Sequence, residues 1–313
     1  MAGNGFVSIG ECMLELSSRG NQNGDDGDWR MGFAGDTLNT LWALRALTGP
    51  ERTANYVSAF GDDPFSRDQI AFFETNGIGV GESPIVPGAR PGLYAITLAG
   101  AERSFTYWRN DSAAKQLASD PVRLAKSLEN QALVYFSGIT LAILEPAGRE
   151  VLIDAVRVAR SAGSMIAFDA NYRPRLWTSP EEARGAIDEA LSVTDIALPT
   201  YPDEQSLYGD ASPEATADRL AAVGVGEIVV KNGEFPATVW QGESAETVAA
   251  VHVASPVDTT GAGDSFNGSY LAARLAGHPP LEATRRAHAV AAAVVQVRGA
   301  LAPFETLRAA FAV

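Results

Sequence analysis

Four consecutive residues late in the chain, Gly261-Ala262-Gly263-Asp264, have the types and order needed to hold an anion beside a hydroxyl. Glycine reaches backbone angles that other residues resist, so the N–H groups of Gly261, Ala262 and Gly263 can converge on one hollow. A helical pattern runs on from Gly263 to Ala276, and a helix N-terminus adds positive partial charge. A carboxylate at Asp264 would stand beside the bound anion. Such a pair suits phosphoryl transfer: the turn stabilises the moving charge while Asp264 takes the acceptor's proton. By itself, GAGD also reads as a strand–turn–helix joint with an Asp cap. The context is longer, with Asp258-Thr259-Thr260 before the turn and Ser265-Phe266-Asn267-Gly268 after it. No GxxxxGK[ST] occurs in the chain, and Phe266 stands where a dinucleotide fingerprint needs glycine, so both of those phosphate motifs are excluded.

Other polar groups gather at similar joints. Gly35-Asp36 precede an apolar helical run, Leu41 to Leu47, and Asn39 lies in its first turn. Asp36 there would serve as an N-cap. Four polar stretches, the GAGD segment among them, each follow an apolar run; the other three are Asp169 to Pro174, Pro199 to Glu204 and Lys231-Asn232-Gly233. Pro174 biases Arg173 towards an extended backbone, which would project its guanidinium away from the strand end. A salt bridge to a neighbouring helix is the alternative for Arg173. Glu204 reads either as a solvated helix-start carboxylate or as a functional acid.

The elements that must position these residues follow a strand–helix rhythm. Phe6 to Ile9 is a buried first strand, and Asn55 to Gly61 another. Gly20 to Gly27 is a polar loop. From Ala132 the alternation is regular, with strands at 133–136, 165–168, 196–198 and 228–230 separated by helices. This predicts an α/β fold, a mainly parallel sheet with helices on both faces. Ligands in such sheets lie at the carboxyl ends of the strands, where all four polar stretches fall. Gly92 to Leu98 and Arg103 to Arg109 interrupt the rhythm as a hairpin linked by Ala99-Gly100-Ala101-Glu102. Together with residues near 12–31, they are expected to form a small separate sheet. Phe105, Tyr107 and Arg109 share one face by the period of two, and an Arg beside aromatics also reads as an edge charge.

DTTGAGDSFNGSYLAARLAG resembles the C-terminal signature of the ribokinase-like sugar kinases, the PfkB family. GFAGDTLNT resembles their sugar-binding segment. Similarity covers nearly the whole chain, with the motifs in family order. The resemblance implies one ribokinase-like kinase domain over 1–313, a three-layer α/β/α fold with a β-sheet lid built from about 12–31 and 91–110. It implies ATP and Mg²⁺ as cofactors, Asp264 as base and Gly261 to Gly263 as anion hole. Gly35, Asp36 and Asn39 would hold sugar hydroxyls. Asn171, Lys231 and Gly233, with Gly261 and Gly263, would meet the nucleotide.

GECMLEL, YWRNDSAA and the run Asp169-Ala170-Asn171-Tyr172-Arg173-Pro174-Arg175-Leu176-Trp177 are similar to the 2-keto-3-deoxygluconate kinases within that family. There the substrate is a sugar acid, and Arg109 and Arg173 would grip its carboxylate by paired, charge-assisted hydrogen bonds. Tyr94 and Tyr107 would belong to the lid and touch substrate. One departure concerns the Asn-x-x-Glu element of many relatives. Thr200-Tyr201-Pro202-Asp203 stands in its place, which moves the Mg²⁺-side acid to Asp203 or Glu204. A neutral-sugar kinase such as a fructokinase, or a sensor that has lost catalysis, are the rival readings. Two guanidinium groups argue against the first and the intact GAGD turn against the second.

The 313 residues are 46% hydrophobic, enough for a sizeable core, and the net charge is −14. That charge argues against nucleic acid or an anionic membrane surface as a partner. The single cysteine, Cys12, can form no internal disulfide, and MAGNGFVSIGE lacks a signal-peptide pattern; both suit the cytoplasm. His252, His278 and His288 have no metal-ligand spacing. An exposed lid face with Trp108 offers a surface for a homo-oligomer.

Overall fold

The structure is a computed structural model, and it describes residues 3–18, 29–99, 102–242 and 244–312. The expected loop at Gly20 to Gly27 lies outside the described residues. The first half holds β1 (Gly5–Ile9), β2 (Met13–Ser18), β3 (Trp29–Ala34), α1 (Asp36–Leu47), β4 (Ala54–Val57), β5 (Phe60–Gly61) and α2 (Pro64–Thr75). After these come β6 (Ile85–Val86), β7 (Leu93–Ala99), β8 (Glu102–Trp108), α3 (Pro121–Leu128) and β9 (Gln131–Ser137). The run expected as one strand, 55–61, is split: β4 belongs to the central sheet, while β5 pairs with β6 in a small parallel ribbon.

The regular half continues with α4 (Gly138–Ile143), α5 (Pro146–Ser161), β10 (Met165–Asp169), α6 (Pro180–Leu191), β11 (Ile196–Ala197), α7 (Tyr201–Tyr208) and α8 (Pro213–Ala222). The last elements are β12 (Glu227–Asn232), β13 (Phe235–Gln241), β14 (Ser244–Val248), α9 (Ala262–Leu275), α10 (Pro280–Val294) and α11 (Phe304–Phe311). Proline opens α2, α3, α5, α6, α8 and α10 within their first turn, where its missing N–H costs nothing.

The central sheet has eight strands in the order β14-β13-β12-β11-β10-β9-β1-β4. Six are parallel, and β13 and β14 add an antiparallel edge. Alternate residues feed two cores. On β9, Val134 and Phe136 join Leu152, Ile153 and Ile187 of α5 and α6. Leu133 and Tyr135 join Leu38 and Leu41 of α1 and Phe266 and Tyr270 of α9. Burial on both faces explains the continuous apolar strand sequences.

A separate four-stranded sheet has the order β3-β2-β7-β8. Glu15, Tyr94 and Tyr107 sit side by side across it, so they share one face. Trp29, Met31 and Trp108 lie on the other face and are exposed. Among the described residues no helix is long and apolar enough to cross a membrane.

Candidate active site

A cleft of about 530 Å³ opens at the carboxyl ends of the central strands. Gly261 to Asp264 line one side, Asp169, Asn171 and Arg173 another, and Phe105 and Tyr107 reach over it from β8. Thr200 and Lys231 complete the wall.

Gly261 caps α9 with φ 75°, in the left-handed region. A Cβ there would stand 2.9 Å from the Ala300 carbonyl oxygen. Both the angle and the space therefore require glycine. Asp258 braces the approach: its Oδ1 accepts from Thr260 N at 2.9 Å and its Oδ2 from Gly299 N at 2.9 Å. Within the turn Ala262 N–H donates to Thr259 O at a long 3.3 Å. Gly263 is exposed and Asp264 half-buried in the first turn of α9.

Asp264 Oδ2 accepts a hydrogen bond from Asn39 Nδ2 at 2.8 Å. Burial raises its carboxyl to about 7, and the Asp36 carboxylate adds to the rise; Asn39 and Lys231 oppose it. Part of Asp264 stays open to the cleft, so water tempers the rise. A carboxylate of this kind is suited to general base work near neutral pH.

Asp36 is not the N-cap. Gly35 caps α1, and Asp36 is its first helical residue, with Oδ2 accepting from Asn171 Nδ2 at 2.8 Å. Asn171 thus faces the Asp36 side of the cleft, and its backbone sits at φ 36°. That angle is uncommon for a residue with a side chain and belongs to a turn fixed by Asp169, whose Oδ1 accepts from Asn171 N at 3.0 Å. Asp169 Oδ2 accepts from Lys231 Nζ and from Asn267 Nδ2, each at 2.7 Å. Asp169 and Asn267 tie β10, β12 and α9 beneath the turn. The sequence marked these two only as members of motifs, since their partners lie 62 and 98 positions apart.

Arg173 forms the alternative expected of it, a salt bridge to a neighbouring helix, at the wall of the cleft. Its guanidinium lines the cleft, and Nη1 bonds Asp203 Oδ2 of α7 at 3.0 Å and the Tyr172 carbonyl at 2.8 Å. Asp203 is thereby committed to Arg173, and its carboxyl is raised by burial against the pull of that arginine. Glu204 is not solvated at the helix start. It is buried against Arg219, which bonds it at 2.6 Å, and burial raises its carboxyl to about 7 despite that partner. Among the described residues no group of three or more His, Cys, Asp or Glu stands ready to hold a metal ion.

Arg109 does not continue the Phe105–Tyr107 face. It lies one residue beyond the end of β8, where strand alternation no longer applies, and pairs with the buried Glu11. It is not among the side chains lining the cleft. Tyr94 packs on Tyr107 with ring centroids 5.7 Å apart and donates to Glu15. Gly233 lies in the turn between β12 and β13 at φ 60°, outside the cleft wall. Lys231 still belongs to β12, one residue beyond the apolar run that marked the strand.

The geometry places a carboxylate, a helix-start turn and two cations around one space. The chain is 40% identical over 308 residues to a 2-dehydro-3-deoxygluconokinase of Dickeya dadantii, covering 96% of this chain and 97% of the relative. It is 41% identical to the enzyme of that name from Escherichia coli K12, covering 96% and 98%. The crystal structure of a Thermotoga maritima 2-dehydro-3-deoxygluconokinase superposes with a TM-score of 0.84 at 20% identity over 99% of each chain, a likeness of fold. The central sheet with its smaller partner is thus ribokinase-like α/β. Residues 4–307 match the sequence model of the pfkB family carbohydrate kinases, and the chain belongs to that family.

Proposed function

We propose that the chain transfers the terminal phosphoryl group of ATP to the terminal hydroxyl of 2-keto-3-deoxygluconate, giving 2-keto-3-deoxy-6-phosphogluconate and ADP. One observation carries the reading. Asp264, the Gly261–Gly263 turn and Arg173 line one cleft in a chain similar over 96% of its length to kinases named for this substrate.

Asp264 orients the acceptor hydroxyl and takes its proton. The Gly261–Gly263 turn and the α9 N-terminus stabilise the phosphoryl group in flight. Gly35, Asp36 and Asn39 hold sugar hydroxyls, with Asn171 fixing Asp36 and Asn39 fixing Asp264. Lys231 lies on the nucleotide side, with Gly233 at the rim. Mg²⁺ arriving with ATP would supply neutralisation of the phosphate charge, with Asp203 as the acid on that side.

The four-stranded sheet acts as a lid, with Tyr94 and Tyr107 beneath it excluding water. Its outer face, where Trp108 is 57% exposed, suits a second copy of the chain. Trp108→Glu is expected to shift the protein towards monomer in light scattering with the far-ultraviolet spectrum unchanged; an unchanged mass would remove the lid from the interface. ATP and a small sugar acid as reactants suit a cytoplasmic enzyme.

Coupled ADP release with 2-keto-3-deoxygluconate, its galactonate epimer, fructose and ribose side by side tests the reading, and best turnover on fructose or ribose would overturn it. Arg173→Ala should raise KM for the acid sugar by about tenfold or more, the loss of one charge-assisted contact, and leave a neutral analogue little changed; Arg109→Ala, which also strands the buried Glu11, should raise KM for the acid sugar much more than for the neutral one. Equal effects on both sugars would show that neither arginine reads the carboxylate.

A further inference from the structure

We propose that Glu11 is a positioning residue that fixes Arg109, and with it the four-stranded sheet, against the central sheet. The proposal rests on the reading of that sheet as a lid. The chain passes between the two sheets four times: from β1 to β2, from β3 to α1, into β7 and out of β8. Glu11 meets all four passages. It lies in the first link. A Cβ on Gly35, in the second, would stand 2.1 Å from the Glu11 carbonyl oxygen. A Cβ on Gly92, in the third, would stand 2.6 Å from Glu11 Oε1 and 3.1 Å from Arg109 Cβ. Arg109, in the fourth, donates through Nη2 to Glu11 Oε2.

The pair is buried, with side-chain exposures of 11% for Arg109 and 1% for Glu11. A carboxylate so enclosed is strongly destabilising without a cation, so Glu11 holds Arg109 far more firmly than a surface partner would. Glu11 Oε1 has no hydrogen-bond partner among the described residues, which leaves the guanidinium as the counterpart of this charge. Arg109 carries five donors, and one nitrogen serves Glu11. The guanidinium is thereby held at the lid root in one orientation. Glu11 acts through Arg109 and touches no reactant.

Amide hydrogen exchange on the free protein, followed by kinetics, tests this. Glu11→Gln keeps the size and removes the charge. The expected result is exchange about tenfold faster in β7 and β8, with β9 and β10 unchanged, as for local opening of one unit. KM for 2-keto-3-deoxygluconate should rise about tenfold while KM for ATP stays within about twofold. Arg109→Gln breaks the pair from the lid side and should give the same exchange pattern even where Glu11→Gln folds poorly. Unchanged exchange in β7 and β8 overturns the proposal, as does faster exchange spread evenly over the whole chain. Faster exchange confined to the lid, with acid and neutral sugars affected alike, supports the role of Glu11 and removes Arg109 from carboxylate recognition.

Discussion

Asp264→Asn is expected to lower kcat by about 10²–10⁴-fold, the usual worth of general base help, and to make the protein more stable above neutral pH. Both effects come from one charge. The folded carboxyl is raised to about 7 from 3.8, chiefly by burial and then by Asp36. The folded chain therefore binds this proton more tightly than the unfolded chain does. Between those two values stability is lost as pH rises, and above about pH 7 the whole destabilisation is present. Asparagine cannot ionise, and it can still meet Asn39 through its own carbonyl oxygen. Its Tm advantage should be clear at pH 8 and should shrink towards pH 4. In the parent enzyme kcat/KM should climb with pH through about 7, as the base loses its proton. A loss of turnover below about tenfold would remove Asp264 from the base role. A Tm equal to or below the parent's at pH 8 would show that Asp264 is solvated and that its carboxyl is not raised.

The parts of this site that were legible in the sequence are those carried by contiguous residues. Gly261 to Asp264 announce a turn, a helix start and a carboxylate within four positions, and the structure arranges them so. The parallel strands were legible because burial on both faces makes runs such as Leu133 to Phe136 wholly apolar. Short elements were not. Two-residue β5 and β6 carry no periodicity, and α4 follows β9 without a break that composition could mark. The pairing of charges was the least legible layer. Arg109 meets Glu11 across 98 positions and Arg173 meets Asp203 across 30, and a guanidinium's choice of partner depends on tertiary geometry alone. Each arginine read as a free ligand for the substrate already has a carboxylate. The part-exposed pair at Arg173 is weaker than the buried one at Arg109 and is the easier of the two to exchange for a substrate anion.

The buried pair beneath the turn sets up the other large effect. Lys231→Met is expected to cost about 3–5 kcal/mol of stability, because it strands a buried carboxylate without its cation. Lys231 Nζ lies 2.7 Å from Asp169 Oδ2, with side-chain exposures of 8% and 3%. Asp169→Asn in the same chain removes the stranded charge. Its carbonyl oxygen can still accept from Asn171 N, and its new N–H₂ can meet the Asn267 Oδ1, which has no partner among the described residues, once the Asn267 amide turns over to bring that oxygen where its Nδ2 now stands. The double variant should therefore recover most of the denaturant midpoint. It should not recover turnover. A Cβ on Gly263 would stand 3.7 Å from Lys231 Nζ, which puts this ammonium beside the turn proposed to stabilise the phosphoryl group. Removing a preorganised charge from such a place costs about 10²–10³-fold in kcat. Unfolding by denaturant and ADP release on the single and double variants separate the two contributions. Turnover that returns together with stability would make Lys231 a purely structural partner of Asp169. Stability that returns alone would place its charge in the reaction.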